Sequence, residues 1–177
     1  MHAISFLGTT DYRVTSYCYK DRSFETRFFA EALGYFFVDI DQINVMVTPT
    51  VQEHANLAEL KARLGNRLNP VPIPAGHSEA QLWEIFDALI GVVEPGDRVI
   101  FDITNSFRSL PFLTFLAAAF LRSASQIEVE AIVYGAYEGR DRKTNRSPVF
   151  DLTPFVSLLD WLAATNQFVH TGDGRFL

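Results

Sequence analysis

Short apolar runs alternate along the chain with segments whose apolar residues recur at helical spacing. Runs rich in β-branched and aromatic residues that end at turn signals predict buried strands. The clearest helix has one apolar face, formed by Leu82, Phe86, Leu89, Ile90 and Val93. The predicted strands are 3–7, 43–47, 71–74, 98–103 and 127–134, and the predicted helices are 25–36, 50–64, 82–93, 109–122 and 152–168.

This alternation predicts an α/β domain of the Rossmann-like class, with a mainly parallel central sheet and helices on both faces. Ligands of such sheets bind at the carboxyl ends of the strands, so the loops after residues 7, 47, 103 and 134 are the first places to look for chemistry. The helix at 109–122 is apolar nearly all round, which indicates that it is covered on both sides, for example by a partner subunit.

Composition narrows the class of protein. Of the 177 residues, 48% are hydrophobic and 16 are Phe, so the chain has enough apolar surface for one folded domain and is not disordered. Lys and Arg number 15 against 21 Asp and Glu, and the net charge of −6 disfavours binding to long nucleic acids or anionic membranes. A small anion held in one local pocket is compatible with this charge.

Cysteine and histidine usage excludes several kinds of site. Cys18 is the only cysteine, so the chain forms no internal disulfide, and the 4 histidines show no zinc-binding spacing. We therefore expect no metal and a reducing, cytoplasmic location. The sequence shows no signal-peptide pattern and no apolar run long enough to span a bilayer.

The first candidate loop, Gly8, Thr9 and Thr10, follows the first predicted strand. Glycine lets the backbone approach a ligand closely, and the two hydroxyls can donate hydrogen bonds to phosphate oxygens. The loop matches neither the dinucleotide-binding glycine pattern nor a Walker loop, so no dinucleotide cofactor is expected. An ordinary turn after a strand accounts for the same residues equally well.

The second candidate loop, residues 102–111, is very polar for a segment that directly follows a buried strand. It carries a carboxylate at Asp102, a guanidinium at Arg108 and several hydroxyl and amide groups between them. It also precedes a predicted helix, whose N-terminal N–H groups favour an anion. The loop therefore predicts a phosphate cradle. In the alternative interpretation, Arg108 pairs internally with Asp102 or with a carbonyl group.

A third candidate segment, Tyr134, Gly135 and Ala136, ends a later predicted strand. Gly135 would let a base or a ribose approach the backbone, and a tyrosine could stack on the base or donate a hydrogen bond. A strand end with packed aromatic side chains is the alternative, and these residues taken alone favour it.

Eight blocks in a fixed order carry a resemblance to a known family. They are residues 6–9, 25–28, 83–86, 101–104, 107–111, 134–136, 151–153 and 171–173. Together they resemble the CRISPR-associated Rossmann-fold (CARF) sensor domains of type III CRISPR ancillary proteins, in the branch often paired with a HEPN ribonuclease. The likeness covers nearly the whole chain.

The resemblance implies that residues 1–177 are a single CARF sensor domain, cut from a longer protein whose C-terminal effector domain is absent. It also implies a homodimer that binds a cyclic oligoadenylate, most often cyclic tetra-adenylate, across its two-fold axis and thereby activates the effector. By this analogy two loops contact phosphates and riboses, and one strand end borders the adenines. The residues are Gly8, Thr9 and Thr10 in one loop, Thr104, Asn105, Ser106, Phe107 and Arg108 in the other, and Tyr134, Gly135 and Ala136 at the strand end.

Two departures from the family pattern concern activity. The second loop commonly reads Asp-Ile-Thr-His-Gly-Phe-Arg in the family, whereas Asn105 and Ser106 stand here, and Asn105 donates hydrogen bonds but cannot become cationic. The Arg-x(4–6)-His motif of HEPN ribonucleases is not found in the sequence. The alternative function is a ring nuclease, which would cleave the ring by metal-independent attack of a ribose 2′-hydroxyl on the adjacent phosphate.

Overall fold

A computed structural model describes residues 1–106, 109–124, 127–172 and 174. The strands are β1 (His2–Phe6), β2 (Thr15–Tyr19), β3 (Arg22–Thr26), β4 (Gln42–Val47), β5 (Leu68–Pro72), β6 (Arg98–Asp102), β7 (Glu128–Gly135) and β8 (Arg146–Asp151). The helices are α1 (Phe29–Phe36), α2 (Pro49–Gln52), α3 (Ala55–Leu64), α4 (Glu79–Gly91), α5 (Leu110–Ala124) and α6 (Thr153–Thr171).

All eight strands form one sheet, in the order β3-β2-β8-β7-β6-β1-β4-β5. The run from β7 through β6, β1 and β4 to β5 is parallel throughout, whereas β8 is antiparallel to β7. β2 runs parallel to β8 and antiparallel to β3. The predicted Rossmann-like class and mainly parallel sheet are therefore confirmed.

Helices cover both faces of the sheet because side chains of each central strand alternate between two cores. Ala3 of β1 belongs to the core formed with α1 and α3, and Ile4 belongs to the core formed with α4, α5 and α6. Ile100 and Phe101 of β6 divide in the same way. Such strands, buried on both faces, read as continuous apolar runs, which is why the sequence predicts them.

Strand β5 lies at one edge of the sheet. Proline is tolerated in an edge strand because the N–H group that it lacks can be one that no neighbouring strand would pair with. The strand predicted at 71–74 is present, but it spans Leu68–Pro72. Strands β2, β3 and β8 are absent from the sequence-based prediction. The helix predicted to begin at 25 begins at Phe29, because Glu25 and Thr26 belong to β3.

Helices α5 and α6 leave many apolar side chains in solvent. Phe112 and Leu116 of α5 are 65% and 39% exposed, and Trp161 and Leu162 of α6 are 62% and 66% exposed. Within the described residues, α5 is therefore packed against the sheet, α4 and α6, and its apolar circumference stays open along Phe112 and Leu116. None of the helices in the described part of the chain has the length and apolarity needed to cross a bilayer.

Candidate functional site

A cavity of about 830 Å³ opens at the carboxyl ends of β1, β4, β5 and β6. Its floor is apolar, and it contains the side chains of Phe6, Met46, Ile73, Ile85 and Leu110. Its rim is polar, with hydroxyl or amide groups from Thr9, Thr10, Thr48, Thr50, Thr104, Asn105, Ser106 and Ser109. Loops after four parallel strands meet here because their carboxyl ends share one edge of the sheet.

The loop after β1 is held in place by two buried or half-buried side chains. The Nδ2 group of Asn56, at the start of α3, donates hydrogen bonds of 3.0 Å to the carbonyl groups of both Gly8 and Thr10. The Gly8 N–H donates to the Tyr12 hydroxyl at 2.7 Å, and burial raises the pKa of Tyr12 above its ordinary value. The Gly8 amide is therefore engaged within the chain, and Thr9 and Thr10 project at the exposed rim.

The loop after β6 rests on a buried carboxylate. Asp102 is completely buried and accepts a hydrogen bond of 2.6 Å from the Ser5 hydroxyl and one of 2.7 Å from the Thr104 N–H. Burial raises the pKa of Asp102 to about 6, against these hydrogen bonds, which lower it. The Thr104 hydroxyl in turn accepts a hydrogen bond of 2.8 Å from the Gly135 N–H, so it ties the ends of β6 and β7 together.

Three of the predicted ligand-binding side chains have polar groups that are available to a ligand. The Ser106 hydroxyl donates to the Ile103 carbonyl at 2.7 Å, and Thr104 is engaged as described. Within the described residues, in contrast, the side chains of Thr9, Thr10 and Asn105 have no hydrogen-bond partner, and all three line the cavity. These three are the free donors that the sequence-predicted loops present at the rim.

The predicted residues at the end of β7 do not line the cavity, although the Gly135 N–H is bonded to the Thr104 hydroxyl of the second loop. Tyr134, Gly135 and Ala136 are not among the residues that line the cavity in the described part of the chain. A Cβ atom on Gly135 would lie 2.7 Å from Cδ2 of Phe29 and 2.9 Å from Cε1 of Tyr17. Glycine is needed here because two aromatic rings approach the backbone, which fits the packed-aromatic alternative given above. The remaining predicted residues, Phe107 and Arg108, lie outside the described residues.

The cavity is close to neutral although the chain is acidic. Tyr12 and His77 are the titratable side chains among its described lining residues, and none of these residues carries a carboxylate. The described residues also contain no group of three His, Cys, Asp or Glu side chains that could hold a metal ion. Hydroxyls, amides and the N-terminus of α5 can bind an anion here, and the buried Asp102 carboxylate lies beneath the lining, where it accepts hydrogen bonds from Ser5 and the Thr104 N–H.

Two parts of the cavity wall contain no residue that the sequence predicts to bind a ligand. Thr48 and Thr50 follow β4, and residues 73–77 follow β5. The available signal for Thr48 and Thr50 was their place directly after a predicted strand, in one of the four loops named above as places to look for chemistry. Helix capping accounts for the residue types before α4, since the Ser78 hydroxyl accepts a hydrogen bond from the Gln81 N–H. That His77 lines the cavity is visible only in the structure.

Comparison with known proteins gives two matches. Residues 2–138 match the family model described as "CRISPR system endoribonuclease Csx1, CARF domain". The CRISPR-associated protein MJ1674 of Methanocaldococcus jannaschii is 32% identical over 108 residues, which cover 59% of this chain and 17% of that protein. The matched segment is thus a small part of this relative's length.

Proposed function

Because the chain belongs to the CARF-domain family of the CRISPR system endoribonuclease Csx1, we propose that it binds a cyclic oligoadenylate as the sensor of a type III CRISPR system. The family membership confirms the resemblance drawn from the sequence. The proposed ligand is cyclic tetra-adenylate, bound across the two-fold axis of a homodimer. In the cytoplasm, binding would activate an effector domain of a longer protein, and no metal or cofactor takes part.

The cavity is the observation that carries the proposal. It joins the loop at Gly8–Thr10 to the loop at Thr104–Ser106, which are about a hundred residues apart in sequence, at one edge of the sheet. A volume of about 830 Å³ lies in the usual range for small-ligand pockets. Two copies facing each other would enclose a ring with two-fold symmetry, since each copy supplies the same loops.

The polarity of the site supports an anionic nucleotide with exposed bases. Free donors at Thr9, Thr10 and Asn105 suit phosphate and ribose oxygens, whereas the apolar floor suits the faces of bases. The long-range field of a chain with net charge −6 opposes an anion. A local pocket without carboxylates therefore favours a compact ring over a long RNA.

The outer face of α5 supports a homodimer. Phe112, Leu116 and Phe120 are spaced four residues apart and are 65%, 39% and 44% exposed, so they form one apolar stripe. The stripe begins beside the cavity, because Leu110 at the start of the same helix lines it. Exposed apolar stripes of this kind are typical of protein interfaces.

Calorimetry of the chain with cyclic tri-, tetra- and hexa-adenylate tests the proposal. We expect binding of the tetra-adenylate ring, strongly reduced in Arg108→Ala and unchanged in Arg142→Ala, an exposed residue that makes the same change in net charge. Absence of binding to all three rings would refute the function, and equal binding by both variants would refute the role of Arg108. Mass spectrometry of the ligand after incubation separates sensing, which leaves the ring intact, from ring cleavage.

A further inference from the structure

The cavity has a second wall, formed by segments that neither predicted loop includes. The Thr48 and Thr50 hydroxyls lie 3.1 Å apart and share a hydrogen bond just beyond the end of β4. Ile73 lies beside them, because its N–H donates to the Val47 carbonyl at 3.0 Å and so extends the pairing of β5 with β4. Both segments line the same cavity as the predicted loops.

The loop that carries His77 is fixed by several contacts. Gly76 has a φ of +76°, and a Cβ atom there would touch the side chains of Ile85 and Leu82 on α4. The His77 N–H donates to Oε1 of Gln81 at 2.8 Å, so the loop is also bonded to the first turn of α4. The loop therefore presents His77 from a defined position at the cavity mouth.

The chemistry of this second wall suits a purine base better than a phosphate. Ile73 and Ile85 are 4% and 1% exposed and form an apolar surface under the wall. Its described side chains carry no guanidinium, ammonium or carboxylate group, and His77 is its one titratable side chain. After one threonine hydroxyl donates to the other, the pair keeps one free O–H donor and free acceptor lone pairs.

We propose that Thr48, Thr50 and His77 form an adenine-binding subsite of the cavity. The proposal rests on the proposed function and adds the residues that read the base. The 6-amino group of adenine donates to one hydroxyl, a ring nitrogen accepts from the other, and His77 covers the face of the base above the apolar floor. The first loop and the loop after β6 then take the phosphates and riboses.

The test compares cyclic tetra-adenylate with a ring in which purine replaces adenine, so that only the 6-amino groups are missing. We expect the parent chain to bind the adenine ring at least about five-fold more tightly, the effect of one neutral hydrogen bond. In a Thr48→Val, Thr50→Val double variant this preference should fall to about one. A variant that merely disturbs the structure would weaken both rings by the same factor.

His77→Ala gives a second, different signature. Loss of the covering imidazole should weaken both rings by about five-fold and leave the preference for adenine unchanged. Thr165→Val and His170→Ala, exposed residues of α6 outside the cavity, are the matched controls and should bind both rings as the parent does. An unchanged adenine preference in the double threonine variant would overturn the subsite, and failure of the parent to bind the adenine ring would overturn the proposed function and this inference together.

Discussion

The hydroxyl of Ser5 on β1 and the carboxylate of Asp102 on β6 form a hydrogen bond of 2.6 Å, and both side chains are fully buried. The two strands are parallel neighbours at the centre of the sheet. The same carboxylate accepts from the Thr104 N–H, so the base of the second candidate loop is anchored to the first strand. The two loops at the cavity therefore share one buried polar support.

The buried carboxylate makes the stability of the domain depend on pH. Burial raises the pKa of Asp102 from 3.8 to about 6, so the folded state binds a proton more tightly than the unfolded chain does. The stabilisation from this proton is complete below about pH 4 and is lost as the pH rises to about 6. Between pH 5 and 7.5 we expect Asp102 to reduce the free energy of unfolding by about 1 kcal/mol.

Urea unfolding of the parent and of Asp102→Asn across this pH range measures the effect. The amide cannot titrate, and the other groups contribute equally to both proteins, so the difference between the two curves isolates Asp102. Ser5→Ala removes a hydrogen bond to the charged carboxylate and should destabilise the domain by about 1–3 kcal/mol at pH 7.5. Parallel curves for the parent and Asp102→Asn would contradict the raised pKa.

Asn56 controls the shape of the first loop. It is 4% exposed and donates to the carbonyl groups of Gly8 and Thr10, so Asn56→Ala leaves two carbonyl groups without their partner. We expect a loss of about 1–3 kcal/mol in stability and at least about ten-fold weaker binding of cyclic tetra-adenylate. Calorimetry and urea unfolding measure the two effects. Asn166→Ala, at an exposed site on α6, should change neither, and a variant at Asn56 with parental affinity would show that the loop does not bind the ring.

Gly135 fits against aromatic rings, so its replacement tests whether packing or ligand access requires glycine there. Gly135→Ala would place a Cβ atom 2.7 Å from the ring of Phe29, and we expect it to cost about 1–3 kcal/mol of stability. Gly139→Ala is the control, because its Cβ atom would lie 3.6 Å from the Cβ atom of Ala136, in ordinary contact. A stable Gly135→Ala protein with weakened ligand binding would instead place the ligand against this backbone.

The exposed stripe on α5 predicts where two copies meet. Phe112→Asp places a charge on this stripe. Light scattering during gel filtration should show a dimer for the parent and a monomer for this variant. Val38→Asp is the matched control, since Val38 is 76% exposed and follows α1, which packs on the opposite face of the sheet. A dimeric Phe112→Asp protein would place the interface on another surface.

The apolar strands and amphipathic helices could be predicted from the sequence because each carries its own periodic signal. The strands β2, β3 and β8 lack that signal. β8 begins with Arg146 and contains Pro148, and it forms a strand because β7 and β2 pair with its two edges. Backbone pairing of this kind depends on which segments meet in the folded chain.

The sequence by itself determined the class of fold, the edge of the sheet that carries the cavity, and the residue types that two of its loops present there. The tertiary structure decided which groups a ligand can reach. It engages the Thr104 hydroxyl with Gly135, leaves Asn105 available, and brings Thr48 and His77 to the same cavity. These assignments depend on hydrogen bonds and contacts between segments some 30 to 100 residues apart. Only folding brings such partners together, so no local sequence pattern encodes them.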